Sequence, residues 1–378
     1  MTDALLVLED GTTLTGTGFG AEGEVFGEMV FNTAMTGYQE SLTDPSYFRQ
    51  IVTMTAPHIG NTGVNQQDPE SRRAWVSGYV VRAPSPVASS WRATGELGDY
   101  LKSQGIPGIA VTGTRMITRR IREAGAMRAA VSTIGTSPAM LLERVRASAG
   151  MAGADLAREV TVAEPYLVPA TGPRRYRVAA VDLGIKSATP RNMAARGCEV
   201  LVLSATVTAA EILAGDPDGV FFSNGPGDPA ATGYAVRAMR GVLNAGLPVF
   251  GICLGSQILA LALGLRTSKL RYGHRGVNHP VLDLATRRVY ITSHNHGFAV
   301  LAPGDSAAGQ PFETPYGPAA VSHVNLNDGV VEGLRMLERP VFGVQYHPEA
   351  APGPHDAADH FDQFCALMDS KGTHAKAG

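Results

Sequence analysis

The chain has 378 residues, 44% of them hydrophobic and 17% charged, with a formal net charge of −2 at pH 7. Because a single hydrophobic core stops growing at roughly 250 to 300 residues, this length predicts two domains. The nearly balanced charge excludes a general electrostatic attraction to nucleic acid or to an anionic membrane surface, so partners must be recognised locally.

The three cysteines, Cys198, Cys253 and Cys365, are sparse and lack the C-x-x-C spacing. This pattern argues against a disulfide framework and against a thiolate zinc site, and it favours a reducing compartment. The N-terminus lacks the features of a signal peptide, and no stretch approaches the roughly 20 apolar residues of a membrane span. We therefore expect a cytoplasmic protein that does not enter a membrane.

The first 150 residues are predicted to form a smaller, β-rich α/β domain. Short runs with period-two alternation are separated by Gly and Asn, as in LLVLEDGTTLTGTGFG, EMVFNTAMTG and WVSGYVV. Helical spacing predicts helices at 95–104, 114–124 and 138–149. The stretch 151–176 is rich in Ala, Pro, Gly and Arg, which predicts a linker between the domains.

A different rhythm begins at residue 177, where apolar runs alternate with helical segments. The runs are VAAVDLG, EVLVLSA, GVFFSNG and PVFGIC. Strands that are apolar throughout are typical of a parallel sheet with helices on both faces, so 177–370 is predicted to be a doubly wound, mainly parallel α/β domain. After about 264 the pattern changes towards strands, a last helix is expected at 356–368, and 371–378 is expected to be a flexible tail.

The sharpest chemical signal is Gly251-Ile252-Cys253-Leu254-Gly255, which directly follows the predicted strand PVFGI and directly precedes a predicted helix. It is the thiol version of a nucleophile elbow, in which small residues allow a strained turn to expose the side chain at the carboxyl end of a sheet. The helix N-terminus favours a thiolate and directs backbone N–H groups at an oxyanion. Most free cysteines are buried core residues, but strand, turn and helix together favour Cys253 as a nucleophile.

A thiol nucleophile requires a base, and the base requires an orienting group. The segment GVQYHPEA supplies both, because His347 and Glu349 lie two residues apart and project to the same side of an extended backbone. A carboxylate bonded to one imidazole nitrogen fixes the tautomer and leaves the other nitrogen for the thiol. Taken alone, a His-Pro-Glu segment at a strand end more often contains an ordinary loop histidine than a catalytic one. The presence of Cys253 favours the catalytic interpretation.

Two further segments are candidates for holding a substrate. In SNGPGDP, Gly225 and Gly227 follow a predicted strand and permit close backbone approach with an exposed N–H, although an ordinary βα turn is the alternative. The segment lacks the last glycine of a dinucleotide-binding G-x-G-x-x-G. In NHGF, which follows the predicted strand VYITSH, Asn295 could hold a substrate by backbone and amide contacts.

A metal site is the competing interpretation of the histidines. His294 and His296 form an H-x-H pair, and His274 and His279 are nearby in the sequence. A metal ion would need a further ligand, and neither a carboxylate nor a cysteine stands at a recognised spacing. The sequence therefore predicts no metal site.

The motifs GICLG, SNGPGDP, NHGF and HPE, in this order and spacing, resemble the class I glutamine amidotransferase domain. Further segments narrow the resemblance to one family, the small subunit of carbamoyl-phosphate synthase. In the N-terminal half these are VLEDGTTLTG and the run from GEMVFNTAMTG to TAPHIGN, and later in the chain they are GHRGVNHPV and HPEAAPGPHDA. The likeness covers nearly the whole chain. It implies a flavodoxin-like C-terminal domain, and an N-terminal domain that docks a large subunit and closes a glutamine site.

The resemblance implies that Cys253 attacks the side-chain amide of L-glutamine to form a thioester, with His347 as base and acid and Glu349 orienting it. The ammonia would pass to a large subunit for ATP- and bicarbonate-dependent carbamoyl phosphate synthesis, in arginine and pyrimidine biosynthesis. Backbone N–H groups of Leu254 and Gly227 would hold the oxyanion. The positions that match glutamine-binding residues of the family are Ser46, Gly225, Gly227, Leu254, Gln257, Asn295, Gly297 and Phe298.

No phosphate-binding loop of the G-x-x-x-x-G-K-[ST] type is present, so the resemblance places ATP and Mg²⁺ on the large subunit and implies no cofactor in this chain. A higher oligomer of heterodimers is expected. Two single positions, Ser256 and Gly113, and the run 185–192 depart from the family pattern. Two alternatives remain: a catalytically silent scaffold, which the presence of Cys253 disfavours, and a stand-alone thiol hydrolase, which leaves the first 150 residues unexplained.

Overall fold

The computed structural model describes residues 2–301 and 309–374. The chain divides into two compact units, one of Met1–Ala152 with Arg271–Gly276 and the other of Gly153–Leu270 with Val277–Gly378. The sequence pattern does not predict the return of 271–276 to the first unit. Within the described residues, no helix is long and apolar enough to cross a lipid bilayer.

The first unit is rich in strands. Its helices are α1 Tyr38–Thr43, α2 Leu97–Ser103, α3 Thr114–Ala124 and α4 Pro138–Ala147. Its strands are β1 Thr2–Leu8, β2 Thr13–Gly20, β3 Glu24–Asn32, β4 Gln50–Met54, β5 His58–Ile59, β6 Gly78–Val81, β7 Ala83–Pro84, β8 Pro107–Ala110 and β9 Met127–Ser132. Seven of these strands close into a barrel in the order β1-β2-β8-β6-β4-β3-β9, while β5 pairs with β7.

Side chains on opposite faces of β1 pack against two helices of this unit, α3 and α4. Leu6 and Leu8 belong to the buried cluster that contains Ile117 of α3, whereas Val7 belongs to a second cluster with Leu141 of α4. Successive side chains of a strand point to opposite faces, so one apolar strand buries both helices. The three helices predicted in this half are present as α2, α3 and α4.

The second unit alternates strands and helices and then continues in strands. Its helices are α5 Ala157–Val160, α6 Ala188–Ala194, α7 Ala209–Ala214, α8 Gly233–Asn244, α9 Leu254–Ala262 and α10 Asp359–His374. Its strands are β10 Tyr166–Val168, β11 Tyr176–Asp182, β12 Cys198–Ser204, β13 Gly219–Phe222, β14 Val249–Ile252, β15 Thr267–Asp283, β16 Val289–Val300, β17 Pro311–Phe312, β18 Ala319–Asn325, β19 Val331–Met336 and β20 Val341–Val344. The middle of β15 is the part assigned to the first unit.

These strands form one sheet in the order β10-β12-β11-β13-β14-β20-β19-β16-β15-β18-β17. The pairs from β12 through β11, β13 and β14 to β20 are parallel. On either side of this parallel core the pairings of β10, β17, β18 and β19 are antiparallel. The prediction of a mainly parallel sheet therefore holds for the core strands only, because the chain after α9 returns through hairpins rather than through crossover helices.

The parallel core is apolar throughout because both of its faces are covered. In β13, Val220 and Phe222 pack in the cluster that contains Val242 of α8, while Phe221 packs in the cluster that contains Phe364 of α10. Because β11, β13, β14 and β20 are parallel, their carboxyl ends lie at one edge of the sheet. Open α/β sheets bind ligands at this edge. Cys253 follows β14, the pair of His347 and Glu349 follows β20, and Gly225 and Gly227 follow β13.

The stretch 151–176, predicted as a linker, is folded onto the second unit over part of its length. Ala157 of α5 is fully buried, and β10 pairs antiparallel with β12 as the edge strand of the sheet. A three-residue strand is too short for a periodic signal, which explains why the composition alone suggests a linker. Of the predicted tail 371–378, residues 371–374 continue α10, and 375–378 lie outside the described residues.

Candidate active site

Cys253 occupies a strained turn between β14 and α9. Its backbone φ is 53° and ψ is −105°, which is a conformation that non-glycine residues rarely adopt. Close packing explains the flanking glycines, because a Cβ on Gly255 would lie 2.1 Å from the backbone oxygen of Phe222, and one on Gly251 would lie 2.8 Å from the backbone of Gly255. The predicted elbow is therefore present in the structure, with the strain concentrated at the thiol.

The thiol of Cys253 is buried and contacts two polar groups. It lies 3.8 Å from the backbone oxygen of Asn295, to which it can donate, and 3.6 Å from Nε2 of Gln345, which donates to the sulfur. Gln345 in turn accepts a hydrogen bond of 2.9 Å from Gln257 through its Oε1. The amide of Gln345 is thus oriented with its donor towards the sulfur, where it stabilises a thiolate.

His347 and Glu349 follow β20 and form a short hydrogen bond. His347 Nδ1 lies 2.6 Å from Glu349 Oε1, and both side chains are buried. The backbone N–H of His347 donates to the oxygen of Ser293 at 2.9 Å, which fixes the strand end. Nε2 of His347 is buried without a hydrogen-bond partner among the described residues, so it is the nitrogen left for chemistry. This is the geometry predicted from the His-Pro-Glu spacing.

Lys186 completes the charge arrangement of the pair, and no sequence motif predicts it. Its Nζ lies 3.2 Å from Glu349 Oε1 and also donates to the backbone oxygen of Ala350, and its side chain is buried. The only sequence signal is that a lysine follows the Asp-Leu-Gly turn at the carboxyl end of β11. The run 185–192 otherwise attracts notice only as a departure from the family pattern.

The pKa values of the pair reflect these charges. Burial would raise the pKa of Glu349, but the ammonium of Lys186 and the imidazole of His347 outweigh it and lower the pKa to about 2. Burial would lower the pKa of His347, but the charge of the Glu349 carboxylate, together with an interaction with the Cys253 side chain, outweighs it and raises the pKa to about 10. An ionised carboxylate beside a protonated imidazole is therefore favoured at neutral pH.

The glycines of SNGPGDP are required by their surroundings. A Cβ on Gly225 would lie 2.0 Å from the backbone oxygen of Leu183, and one on Gly227, whose φ is +96°, would lie 2.6 Å from that of Ala154. The loop thus runs in direct backbone contact with two other segments. Leu254 is the first residue of α9 and directly follows the thiol.

The other predicted substrate residues are distributed between the two units. Gln257 donates its amide to the backbone oxygen of Phe298 at 2.7 Å, so these two residues hold each other in place beside the thiol. Asn295 presents its backbone oxygen to Cys253, and Gly297 lies between Asn295 and Phe298 in β16. Ser46 lies in the first unit, in the 3-10 turn Pro45–Tyr47, and its role at a glutamine site stays a prediction.

Two of the departures from the family pattern have structural explanations. Ser256 is buried in α9 against β20, where a Cβ on Gly343 would lie 2.8 Å from its Oγ. Gly113 precedes α3 without a side-chain cap, and a Cβ there would lie 2.7 Å from Leu14. Both positions therefore favour small side chains because of local packing.

Comparison with known proteins places these features in a family. The model of the carbamoyl-phosphate synthase small chain, CPSase domain, matches residues 6–131, and the class-I glutamine amidotransferase model matches residues 179–367. The carbamoyl phosphate synthase small chain of Streptomyces coelicolor is 58% identical over 372 residues, covering 98% of this chain and 97% of that protein. This chain belongs to the carbamoyl-phosphate synthase small-chain family.

Other members of the small-chain family show the same extent of similarity. The small chain of Mycobacterium tuberculosis strain H37Rv is 57% identical over 379 residues, covering 98% of this chain and 100% of that protein. That of Bifidobacterium longum is 53% identical over 390 residues, covering 99% of this chain and 96% of that protein. The family assignment therefore covers both units, and the class-I glutamine amidotransferase match contains Cys253, His347 and Glu349.

Proposed function

We propose that this chain is the glutaminase subunit of a carbamoyl-phosphate synthase, hydrolysing L-glutamine to glutamate and ammonia. The observation that carries the proposal is the strained Cys253 elbow at the same sheet edge as the buried His347–Glu349 pair, whose hydrogen bond is 2.6 Å long. A nucleophile, a proton carrier and an orienting carboxylate are the groups that amide hydrolysis through a thioester requires. Membership of the small-chain family supports glutamine as the substrate.

In the first half of the reaction, the Cys253 thiolate attacks the side-chain carbonyl carbon of glutamine. The carbonyl oxygen becomes an oxyanion, for which we assign the backbone N–H groups of Leu254 and Gly227 as donors. Collapse of this intermediate breaks the C–N bond, and the nitrogen takes a proton from His347 and leaves as ammonia. The raised pKa of His347, about 10, keeps that proton available at neutral pH.

In the second half, water attacks the thioester carbonyl, and His347 accepts the proton that water loses. The bond between carbon and sulfur breaks, glutamate leaves, and Cys253 returns as a thiolate beside a protonated His347. Glu349 holds the imidazole through Nδ1 in both halves, which keeps Nε2 directed to the reacting groups. The net change is one glutamine and one water to one glutamate and one ammonia.

The residues assigned to glutamine binding occupy positions that match the family pattern. Four of them follow the carboxyl ends of parallel strands, namely Gly225, Gly227, Leu254 and Gln257. Ser46 is assigned on the resemblance alone, since it belongs to the first unit. The full set is Ser46, Gly225, Gly227, Leu254, Gln257, Asn295, Gly297 and Phe298.

The partner that we propose is the large subunit of the same synthase, which would use the ammonia for carbamoyl phosphate synthesis with ATP and bicarbonate. The first unit is the proposed docking domain, and ATP and Mg²⁺ are assigned to the large subunit, with no cofactor taking part in glutamine hydrolysis here. We further propose a higher oligomer of heterodimers in the cytoplasm, supplying arginine and pyrimidine biosynthesis, without nucleic-acid or membrane partners. These assignments rest on the family and on the composition of the chain.

The test is Cys253→Ala in the assembled synthase complex. Glutamine-dependent carbamoyl phosphate synthesis should be lost, while synthesis from added ammonia should remain largely intact, because the thiol is needed only to release ammonia. Cys198→Ala, which removes a buried thiol in β12, is the matched control and should retain both activities. Loss of both activities in a correctly assembled Cys253→Ala complex would contradict the division of labour.

A further inference from the structure

Two histidines of β16 and a glutamate of β19 form a buried cluster outside the proposed catalytic chemistry. His294 and His296 are 2% and 5% exposed, and Glu332 is fully buried. One nitrogen of each imidazole and one carboxylate oxygen lie within 4.8 Å of one another. We propose that His294 Nδ1, His296 Nε2 and Glu332 Oε1 bind a divalent transition-metal ion of the zinc class.

The tautomer of His296 is fixed by its outer hydrogen bond. Nδ1 of His296 lies 2.8 Å from the backbone oxygen of Phe298. A carbonyl oxygen can only accept, so Nδ1 carries the proton and donates it. In the neutral ring, Nε2 of His296 therefore presents a lone pair to the interior of the cluster.

The tautomer of His294 follows from the same reasoning. Its Nε2 lies 2.8 Å from Oγ1 of Thr292, and the Thr292 hydroxyl donates its single proton to the backbone oxygen of His279 at 2.8 Å. The hydroxyl oxygen must then accept from His294, which places the proton of that ring on Nε2. Nδ1 of His294 is consequently also a lone-pair atom.

The two lone-pair nitrogens face each other across a short gap beside a carboxylate. His294 Nδ1 lies 3.2 Å from His296 Nε2 and 3.7 Å from Glu332 Oε1. Three electron-rich atoms at these distances repel one another unless a cation lies among them. Tetrahedral zinc with bonds of about 2.0 to 2.2 Å requires ligand atoms about 3.2 to 3.6 Å apart, close to the observed separations.

The atoms behind the proposed ligands match the usual support of a metal centre. Metal-binding histidines almost always donate their other N–H to a carbonyl or another oxygen, as His294 and His296 do here. Glu332 Oε1 accepts a hydrogen bond of 2.9 Å from Nδ2 of Asn325, which fixes the carboxylate. Imidazole and carboxylate ligands together suit zinc rather than calcium or magnesium, which prefer oxygen alone.

The sequence predicts no metal here because the H-x-H pair has no third ligand at a familiar spacing. The structure supplies that ligand from β19, three strands later in the chain, through the pairing of β16 with β19. The residue between the histidines is Asn295, whose backbone oxygen lies 3.8 Å from the Cys253 sulfur. A metal ion would therefore fix the strand segment that faces the thiol without itself contacting it.

The experiment is a zinc titration of the chelator-treated full chain, in which calorimetry measures the affinity and metal analysis after dialysis measures the number of zinc ions bound per chain. One zinc ion should bind per chain in the wild type. Both His294→Gln and Glu332→Gln should weaken binding by more than the roughly 10-fold to 100-fold that loss of an outer partner costs. His355→Gln, which removes an exposed histidine of the same unit, is the matched control and should bind zinc like the wild type.

Cys253→Ala distinguishes the proposed site from zinc captured by the catalytic thiol, and it should retain the bound ion. Circular dichroism of each variant checks that it is folded, and the wild-type titration decides the question even if a variant does not fold. Absence of stoichiometric zinc in the wild type would overturn the proposal. A proton shared between the two imidazoles would then explain their close approach. Zinc binding that is lost in Cys253→Ala but kept in His294→Gln would overturn it as well.

Discussion

Replacement of Lys186 by Met tests whether the buried ion pair holds the Glu349 carboxylate in its charged form. The nitrogen and the carboxylate oxygen lie 3.2 Å apart with both side chains buried. At an effective dielectric constant of about 20, two unit charges at this 3.2 Å distance attract by about 5 kcal/mol. Lys186→Met removes one of the two cationic neighbours of the buried carboxylate and leaves only His347 beside it, so we expect it to lower the free energy of unfolding by about 3 to 5 kcal/mol.

The assay is urea unfolding at neutral pH of four proteins: the wild type, Lys186→Met, Glu349→Gln and the double variant. In the double variant the carboxylate that the ammonium stabilises is absent as well, so its loss of stability should be smaller than the sum of the two single losses. Lys102→Met, which alters an exposed lysine of α2, is the matched control and should change the unfolding free energy by less than about 0.5 kcal/mol.

A coupling energy below about 1 kcal/mol between the two substitutions would refute this reasoning, because it would equal that of an exposed pair. Glutaminase activity supplies a second measure. Since the ammonium of Lys186 lowers the pKa of Glu349, its loss should move the acid limb of the pH–rate profile to higher pH. An unchanged acid limb in folded Lys186→Met would show that the lysine has a purely structural role.

Three further outcomes are expected. Because the pKa of His347 is raised from 6.5 to about 10, its contribution to stability is present below about pH 6.5 and is lost as the pH rises towards 10. The free energy of unfolding in urea should therefore fall between about pH 6 and about pH 9.5 by up to about 4 kcal/mol more in the wild type than in His347→Gln. Equal falls in the two proteins would contradict the raised pKa. Gln345→Leu removes the donor to the Cys253 sulfur and should lower kcat by about tenfold to 100-fold with less change in KM, whereas an unchanged kcat would exclude a role for that bond. Ser46→Ala should raise the KM for glutamine roughly tenfold while changing kcat much less than His347→Ala does, and an unchanged KM would mean that the second unit alone builds the site.

The parts of the site that the sequence predicts are those whose chemistry is local. Cys253 could be identified because strand, turn and helix are contiguous, and the small residues around it are required by contacts visible as a Gly-rich pattern. His347 and Glu349 could be paired because extended geometry places residues two apart on the same side. In each case the prediction depends only on residues that are close together in the sequence.

The parts that the sequence does not predict depend on contacts between distant segments. Gln345 reaches the thiol from β20, Lys186 reaches Glu349 from the turn after β11, and Glu332 reaches the H-x-H pair from β19. No spacing rule connects these residues, because the order of strands in the sheet decides which of them meet. The antiparallel half of the sheet was missed for the same reason, since apolar runs show that strands are buried but not which strands pair.

The position of Lys186 illustrates how a local turn and a distant contact combine. The carboxylate of Asp182, at the end of β11, accepts from the backbone N–H groups of Gly184 and Ile185 at 2.8 and 2.7 Å, which turns the chain directly after the strand. The side chain of Asn224, at the end of β13, then donates to the oxygen of Gly184 at 2.9 Å and holds this turn against the neighbouring strand end. Because β11 and β13 are parallel and adjacent, their two loops meet at one edge, and the lysine that follows the turn is directed at Glu349. The strand order that makes this edge the candidate ligand site therefore also places the ammonium of Lys186 where it keeps the Glu349 carboxylate ionised.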